Sequence, residues 1–196
     1  IISSLLQAGA NPNLPLLSGE TPLMTAARAG VVGTVEALLG SGAEVNATEN
    51  FKKQTALMWA VAQGHGHIME LLIENGADIS ARSKVWYQLE NTAGNTNPSG
   101  NFKIAHGGSS AIMFAARTGN INTARVLLDA GANVNDKAAS GVSALTQAAH
   151  SGHQELAIFL LERGADPNLI DGGYTALHAA VLRGGVKLVE ALLEHG

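Results

Sequence analysis

GVSALTQAAHSGHQELAIFLLERGADPN, residues 141–168, carries its own structural punctuation. Ser143 supplies a side-chain oxygen for the free amides of a helix start, and Leu145, Ala148 and Ala149 follow at helical spacing on one face. Gly152 suits the left-handed conformation that stops a helix. A second helix then carries Leu156, Ala157, Phe159, Leu160 and Leu161 to the next stop at Gly164. Ala165-Asp166-Pro167-Asn168 leaves in extended, turn-forming chemistry. Two helices this short cannot bury their own apolar faces, so the chain has to supply neighbours with the same faces.

It supplies them, because the same punctuation recurs five more times in register. Residues 1–13, IISSLLQAGANPN, read as the second helix and exit of a unit whose first helix lies outside the chain. Complete units follow at about 14–46, 47–81, 108–135, 136–168 and 169–196, and together they make one elongated domain, 1–196, with a core running its length. Pro22 sits where the first turn of a helix tolerates it. A start inside a helix without an initiator Met reads as a fragment, and the last unit stops without a polar cap, so the stack is expected to be open at both ends.

The pattern G-x-[TS]-x-L-x-x-A-A at one end of the unit and L-L-x-x-G-A-[DN]-x-N at the other resembles the ankyrin repeat, whose period is about 33 residues. The runs ALMWAVAQGH and AIMFAARTG resemble bacterial ankyrin arrays in style. The resemblance implies an all-α solenoid of stacked helix pairs with β-hairpin connectors. It also implies a non-catalytic scaffold that binds a protein partner on a concave face, with no cofactor and as a monomer.

One interval departs from the period. Thr21 to Thr55 spans 34 residues and Ser110 to Ser143 spans 33, but Thr55 to Ser110 spans 55. The insertion occupies 82–107, in the connector that forms a projecting hairpin in ankyrin arrays. SKVWYQLE and NFKIAH alternate as strands do, and AGNTNPSG between them is turn chemistry, which predicts a lengthened hairpin. The connector at ATENF is also one residue longer than its counterparts, with Lys53 where Gly19 and Gly141 stand, and this leaves its turn shape open.

Composition excludes several classes. A net charge of −4, a pI near 5.9 and basic residues that read as scattered give no reason to expect nucleic acid. With no cysteine there is no disulfide framework, thiol nucleophile or Cys-based zinc site, while cytosol and an exported location both stay open. No apolar run approaches the roughly 20 residues of a membrane span. No G-x-S-x-G, H-E-x-x-H or P-loop pattern is present, so no catalytic residue is assigned. His65, His153 and His178 fall at places that are structural in the resembled family, and the His65–His67 pair does not share a helix face, so no metal site is assigned.

The aromatic residues are more informative. Trp59 and Phe114 precede the alanines of their first helices, where other units have Thr25, Gln147 and Ala179, a position that faces the concave surface in the resembled family. The insertion between them adds Trp86, Tyr87 and Phe102, with Phe51 in the preceding connector. Two arrangements are compatible with this. The inserted rings fold down onto Trp59 and Phe114 as a small private core, or they stay accessible as anchors for a partner. On the second reading the contacts are Trp59, Phe114, Trp86 and Tyr87, with Phe51, Lys52, Thr25 and Gln147 beside them. Two alternatives stand next to the scaffold: a regulatory or targeting segment of a larger enzyme, and a small-molecule pocket under the insertion near His106.

Overall fold

The computed structural model describes residues 1–91, 101–170 and 174–196. Six second-layer helices, α1 (Ile2–Gln7), α3 (Val32–Gly40), α5 (Gly66–Glu74), α7 (Ile121–Asp129), α9 (Gln154–Glu162) and α11 (Val186–Glu194), lie behind five first-layer helices. These five are α2 (Pro22–Ala29), α4 (Ala56–Gln63), α6 (Ala111–Thr118), α8 (Ala144–Ser151) and α10 (Ala176–Leu182). Each first-layer helix packs on its own partner and on the next first-layer helix, so the chain forms a helix-pair solenoid. Between α5 and α6 stands an antiparallel hairpin, β1 (Trp86–Asn91) and β2 (Asn101–His106).

The repeated hydroxyls start the helices. Thr21, Thr55 and Ser143 accept the N–H of Met24, Met58 and Thr146 at 3.3, 3.3 and 3.2 Å. The core lies between the two layers. Leu23, Met24, Leu38, Leu57, Met58, Ile68 and Leu72 are almost fully buried, and each contributes about 1.5–3 kcal/mol of transfer free energy. Ala27, Ala60, Ala115, Ala148 and Ala179 are buried where first-layer helices meet, and their small size lets the helices approach closely.

Polar rungs tie one unit to the next. Gly119 stops α6 in the left-handed region at φ 77°, and a Cβ there would come within 2.4 Å of the His153 ring. That ring's Nε2 lies 2.9 Å from the Arg117 carbonyl, and His65 makes the same bond to the Arg28 carbonyl at 3.2 Å. The exits carry a second rung. Asn13, Asn46 and Asn135 donate from Nδ2 to the carbonyls of Gly42, Gly76 and Gly164 at 2.9, 2.9 and 3.5 Å. Their Oδ1 atoms accept the N–H of Glu44, Asp78 and Asp166 at 2.7, 2.8 and 2.8 Å.

The Asn series breaks where the hairpin leaves the stack. Ser80 occupies the Asn position, and its hydroxyl turns back to Asp78 at 2.6 Å instead of crossing to Gly131. A cavity of about 280 Å³ lies there, lined in part by Ser80, Gly131 and Asn133. Arg82 bridges the weakened junction. Its Nη1 donates to the carbonyls of Gly108 and Lys137 at 2.8 and 2.7 Å, and its Nη2 pairs with Asp136. Asp136 also takes the Ser110 hydroxyl, which is why Ser110 does not cap α6 with its side chain.

The expected strands form from Trp86 rather than from Ser83, because Ser83 and Lys84 are committed below the hairpin. Ser83 N–H donates to the Ser109 carbonyl at 3.0 Å and Lys84 N–H to the Lys52 carbonyl at 2.6 Å. The register runs from Trp86 opposite His106 to Glu90 opposite Phe102 and on to the pair 91 and 101. Gly107, at φ 75°, closes the base so tightly that a Cβ would lie 2.0 Å from the Lys84 carbonyl oxygen. The expected turn AGNTNPSG lies outside the described residues.

The longer connector at Ala47–Gln54 resolves around one buried carboxylate. Glu49 accepts the N–H of Phe51, Lys52 and Gln54 at 2.6, 2.7 and 3.0 Å. Lys53 consequently takes the left-handed conformation that glycine takes at 19 and 141, with φ 55°. Burial pushes the Glu49 carboxyl up, but the backbone N–H donors of Gln54, Phe51 and Lys52 and the charge of Lys53 together hold it below the usual 4.5. Because the folded group titrates below the unfolded one, its stabilisation is full above that value and is lost as pH falls through the lowered one.

Two outcomes follow from these contacts. Ser80→Asn restores the missing rung and raises the urea unfolding midpoint, worth about 1 kcal/mol, while Asn46→Ser lowers it by a similar amount. Glu49→Gln destabilises the chain by about 2 kcal/mol at pH 7. In urea titrations at stepped pH, that gap to the parent chain narrows as acidity passes below the ordinary glutamate range.

Candidate partner-binding face

Four successive first-layer helices present Thr25, Trp59, Phe114 and Gln147 from equivalent positions of α2, α4, α6 and α8. They do not behave alike. Thr25 is exposed, and its hydroxyl donates to Glu20 Oε1 at 2.8 Å. The same oxygen takes Arg28 Nη2 at 2.9 Å, and the Arg28 guanidinium lies 4.4 Å from the Trp59 ring centre. Thr25 is thus the far end of a chain that holds Arg28 over Trp59. Gln147 donates to Ser151 Oγ at 3.0 Å within its own helix.

Trp59 is partly buried, and its Nε1 is enclosed with no acceptor in reach. Phe114, expected as an accessible anchor, is only 8% exposed. It lines both hollows of this face, and the Arg117 guanidinium lies 5.5 Å from its ring centre. Phe114 therefore supplies a floor and not a protruding ring.

The hairpin does not fold down onto Trp59 and Phe114 as a private core. Trp86 is 46% exposed and Tyr87 60%, and Leu89 and Phe102 are exposed on opposite faces of the ribbon. Trp86 stacks on His106 with ring centres 4.4 Å apart, and Lys103 Nζ lies 4.7 Å from the Tyr87 ring centre. Such cross-strand ring pairs stiffen a two-stranded ribbon. His106 Nε2 is 2.8 Å from Glu90 Oε1, in a geometry too bent for a hydrogen bond. Phe51 stands exposed on the Glu49 turn, with Lys52 next to it.

Two adjoining hollows result. One, of about 220 Å³, lies between Arg28, Trp59, Gln63 and Phe114. The other, of about 250 Å³, lies under the hairpin base between Lys52, Lys84, Trp86, His106, Phe114 and Arg117. Gln54 and Phe114 line both. Larger apolar hollows of about 470 and 460 Å³ occupy the two end faces, beside Leu14, Leu16 and Val31 and beside Tyr174, Val181 and Leu182. These are the faces that neighbouring units cover elsewhere in the stack. Among the described residues, no group of three or more His, Asp or Glu is placed to hold a metal ion.

Sequence reasoning missed Arg28, Lys84 and Arg117, which it read as scattered charge. A signal for them existed. Helices α2, α4, α6, α8 and α10 contain no Asp or Glu, whereas α3, α5, α7, α9 and α11 carry Glu36, Glu70, Glu74, Asp129, Glu155, Glu162, Glu190 and Glu194. Acid is partitioned to the second layer, and a net charge for the whole chain hides that.

No helix among the described residues is long and apolar enough to cross a membrane. The sequence matches the profile of ankyrin repeats in three copies over residues 1–83 and again over 85–171, and that of a single ankyrin repeat over 172–196. It is similar to the probable E3 ubiquitin-protein ligase XBOS32 of Oryza sativa subsp. japonica, 29% identical over 144 residues, covering 68% of this chain and 29% of that protein. It is also similar to the E3 ubiquitin-protein ligase XBAT33 of Arabidopsis thaliana, 32% identical over 143 residues, covering 69% of this chain and 27% of that protein. With the ankyrin repeat and KH domain-containing protein 1 of Homo sapiens it shares 41% identity over 85 residues, covering 43% of this chain and 3% of that protein. The chain spans less than a third of the length of each of these relatives. With paired helices, repeated Asn and His rungs and profile matches over all but residue 84, the chain belongs to the ankyrin-repeat family.

Proposed function

We propose that this segment is a non-catalytic protein-interaction scaffold that grips one partner on the inner face of α4 and α6 and on the hairpin above them. The observation that supports this reading is the exposed Trp86 ring at the rim of a hollow floored by Phe114, which also lines the adjoining hollow with Trp59; Phe51 is exposed next to Lys52 of the same hollow, and Tyr87 is exposed on the ribbon's opposite face. Exposed aromatic rings around a partly desolvated floor are the usual composition of an interface hot spot. Thr25 and Gln147 occupy the equivalent positions of α2 and α8, one helix to either side of the floor. The hollows fall below the range of about 300–1,000 Å³ that suits a free small molecule, which favours side chains of a protein partner.

A second reading is compatible with the first. Two relatives bear the name of E3 ubiquitin-protein ligases, and they are matched over 29% and 27% of their length. On that reading the repeats are the binding portion of a larger enzyme, and the chemistry resides elsewhere in it.

Peptides selected from a displayed library on the immobilised chain test the binding face. Trp86→Ala and Phe51→Ala weaken the selected peptides by at least about tenfold with unchanged helical circular dichroism, while Glu155→Ala on the outer layer leaves affinity unaltered. Peptides that bind equally to the Trp86, Phe51 and Trp59 variants refute this assignment.

A further inference from the structure

We infer that the partner segment recognised on this face is acidic, an extended peptide in which Asp or Glu residues flank an apolar or aromatic anchor. The inference rests on the proposed binding face and adds the chemistry of what occupies it.

The first observation is a group of positive charges without counter-charges. Of the twelve Lys and Arg residues of a chain whose net charge is −4, Lys52, Lys84 and Arg117 come together at one hollow of this face, while Arg28 at the adjoining hollow is paired with Glu20. The Lys84 N–H donates to the Lys52 carbonyl at 2.6 Å, so these two like charges stand on adjoining strands of backbone. Lys52, Lys84 and Arg117 line one hollow, all are exposed, and none has a carboxylate within ion-pair distance among the described residues. Holding like charges together without a counter-charge is unfavourable in the free chain, and an anionic partner relieves it.

Carboxylates near the face are already committed. Glu20 is held by Arg28 and Thr25, Glu49 is turned inward under three backbone N–H groups, and Glu90 lies against His106. None of them neutralises Lys52, Lys84 or Arg117.

The arrangement suits peptide better than nucleic acid. A phosphate backbone carries a regular run of charge and is tracked by an extended basic stripe. Here the cations stand at two adjoining hollows that share Phe114, Arg28 at one and Lys52, Lys84 and Arg117 at the other, and the second layer directly behind is acidic. Alternating carboxylate and apolar side chains match that spacing of charge and cavity.

The library experiment, extended, decides the matter. Peptides whose binding depends on Trp86 are expected to be enriched in Asp and Glu around Trp, Phe or Leu relative to the input library. Their affinity is expected to fall about tenfold or more between roughly 50 and 500 mM NaCl. Lys84→Glu and Arg117→Glu are expected to weaken them about tenfold each, and Lys84→Gln, which leaves the exposed backbone undisturbed, by a smaller factor. Trp86-dependent peptides that are neutral or basic, or salt-insensitive, overturn the acidic assignment and leave the binding face standing. Absence of any Trp86-dependent peptide overturns both. A single-stranded RNA oligonucleotide that outcompetes the acidic peptides and is lost with Lys84→Glu also overturns it, in favour of nucleic acid.

Discussion

The structure depends on one constraint: no helix pair in this chain can cover its own apolar faces, so each is folded only against the next. Burial of Leu, Met, Ile and Ala between the layers provides the attraction, but apolar contact alone does not set how one unit sits on another. The polar rungs do that. An Asn side chain that donates to one backbone group and accepts from another across the junction has a single satisfying geometry, and so has an imidazole seated against a left-handed glycine. The same constraint explains why the one junction without its Asn is held by an Arg reaching past the hairpin base to the following unit.

That junction is also where the inner face acquires its distinctive features. A regular array repeats short connectors, each hydrogen-bonded to its neighbour, as Asn50 N–H is to the Ser18 carbonyl at 2.8 Å. At Ser83 and Lys84 the connector still makes its lateral bonds, and then rises into a ribbon that carries rings away from the stack. The turn before it needs an inward carboxylate to take up its extra residue, so the hairpin and the longer connector present Trp86 and Lys52 around a shared hollow. Structural irregularity and candidate function thus coincide for a physical reason: with the layers beneath already packed, extra backbone in a connector is accommodated outside the stack, as a ribbon.

The repeat pattern made most of the architecture legible. Hydroxyl, apolar triplet, glycine stop and Asn exit recur at a spacing that suits stacked helix pairs, and the alternation of SKVWYQLE and NFKIAH pointed to the two strands, the first of which starts only at Trp86. The candidate site was legible only in part. Trp59, Trp86, Tyr87 and Phe51 could be picked out as aromatic and close in repeat register. The burial of Phe114 could not, because equivalent positions in other units hold Thr25, which is exposed, and Ala179, which is buried, and the difference comes from what lies above each one. The Lys53 turn was equally undecided, since a left-handed lysine follows from the hydrogen bonds of Glu49 and not from any preference of lysine itself.

The sequence by itself determined the local elements and their order, because helix capping, glycine stops and hydrophobic period act over a few residues and repeat faithfully along this chain. Whether the inserted rings stand out or lie down, and which charges meet, was decided only by tertiary structure. Alternation along a strand reads the same for a ribbon that leans on the stack and one that leaves it. Lys52 and Lys84 are 32 residues apart in sequence and become neighbours only when two connectors pair side by side. Accessibility and electrostatic company are properties of what is brought near, and bringing near is the work of the stacked fold.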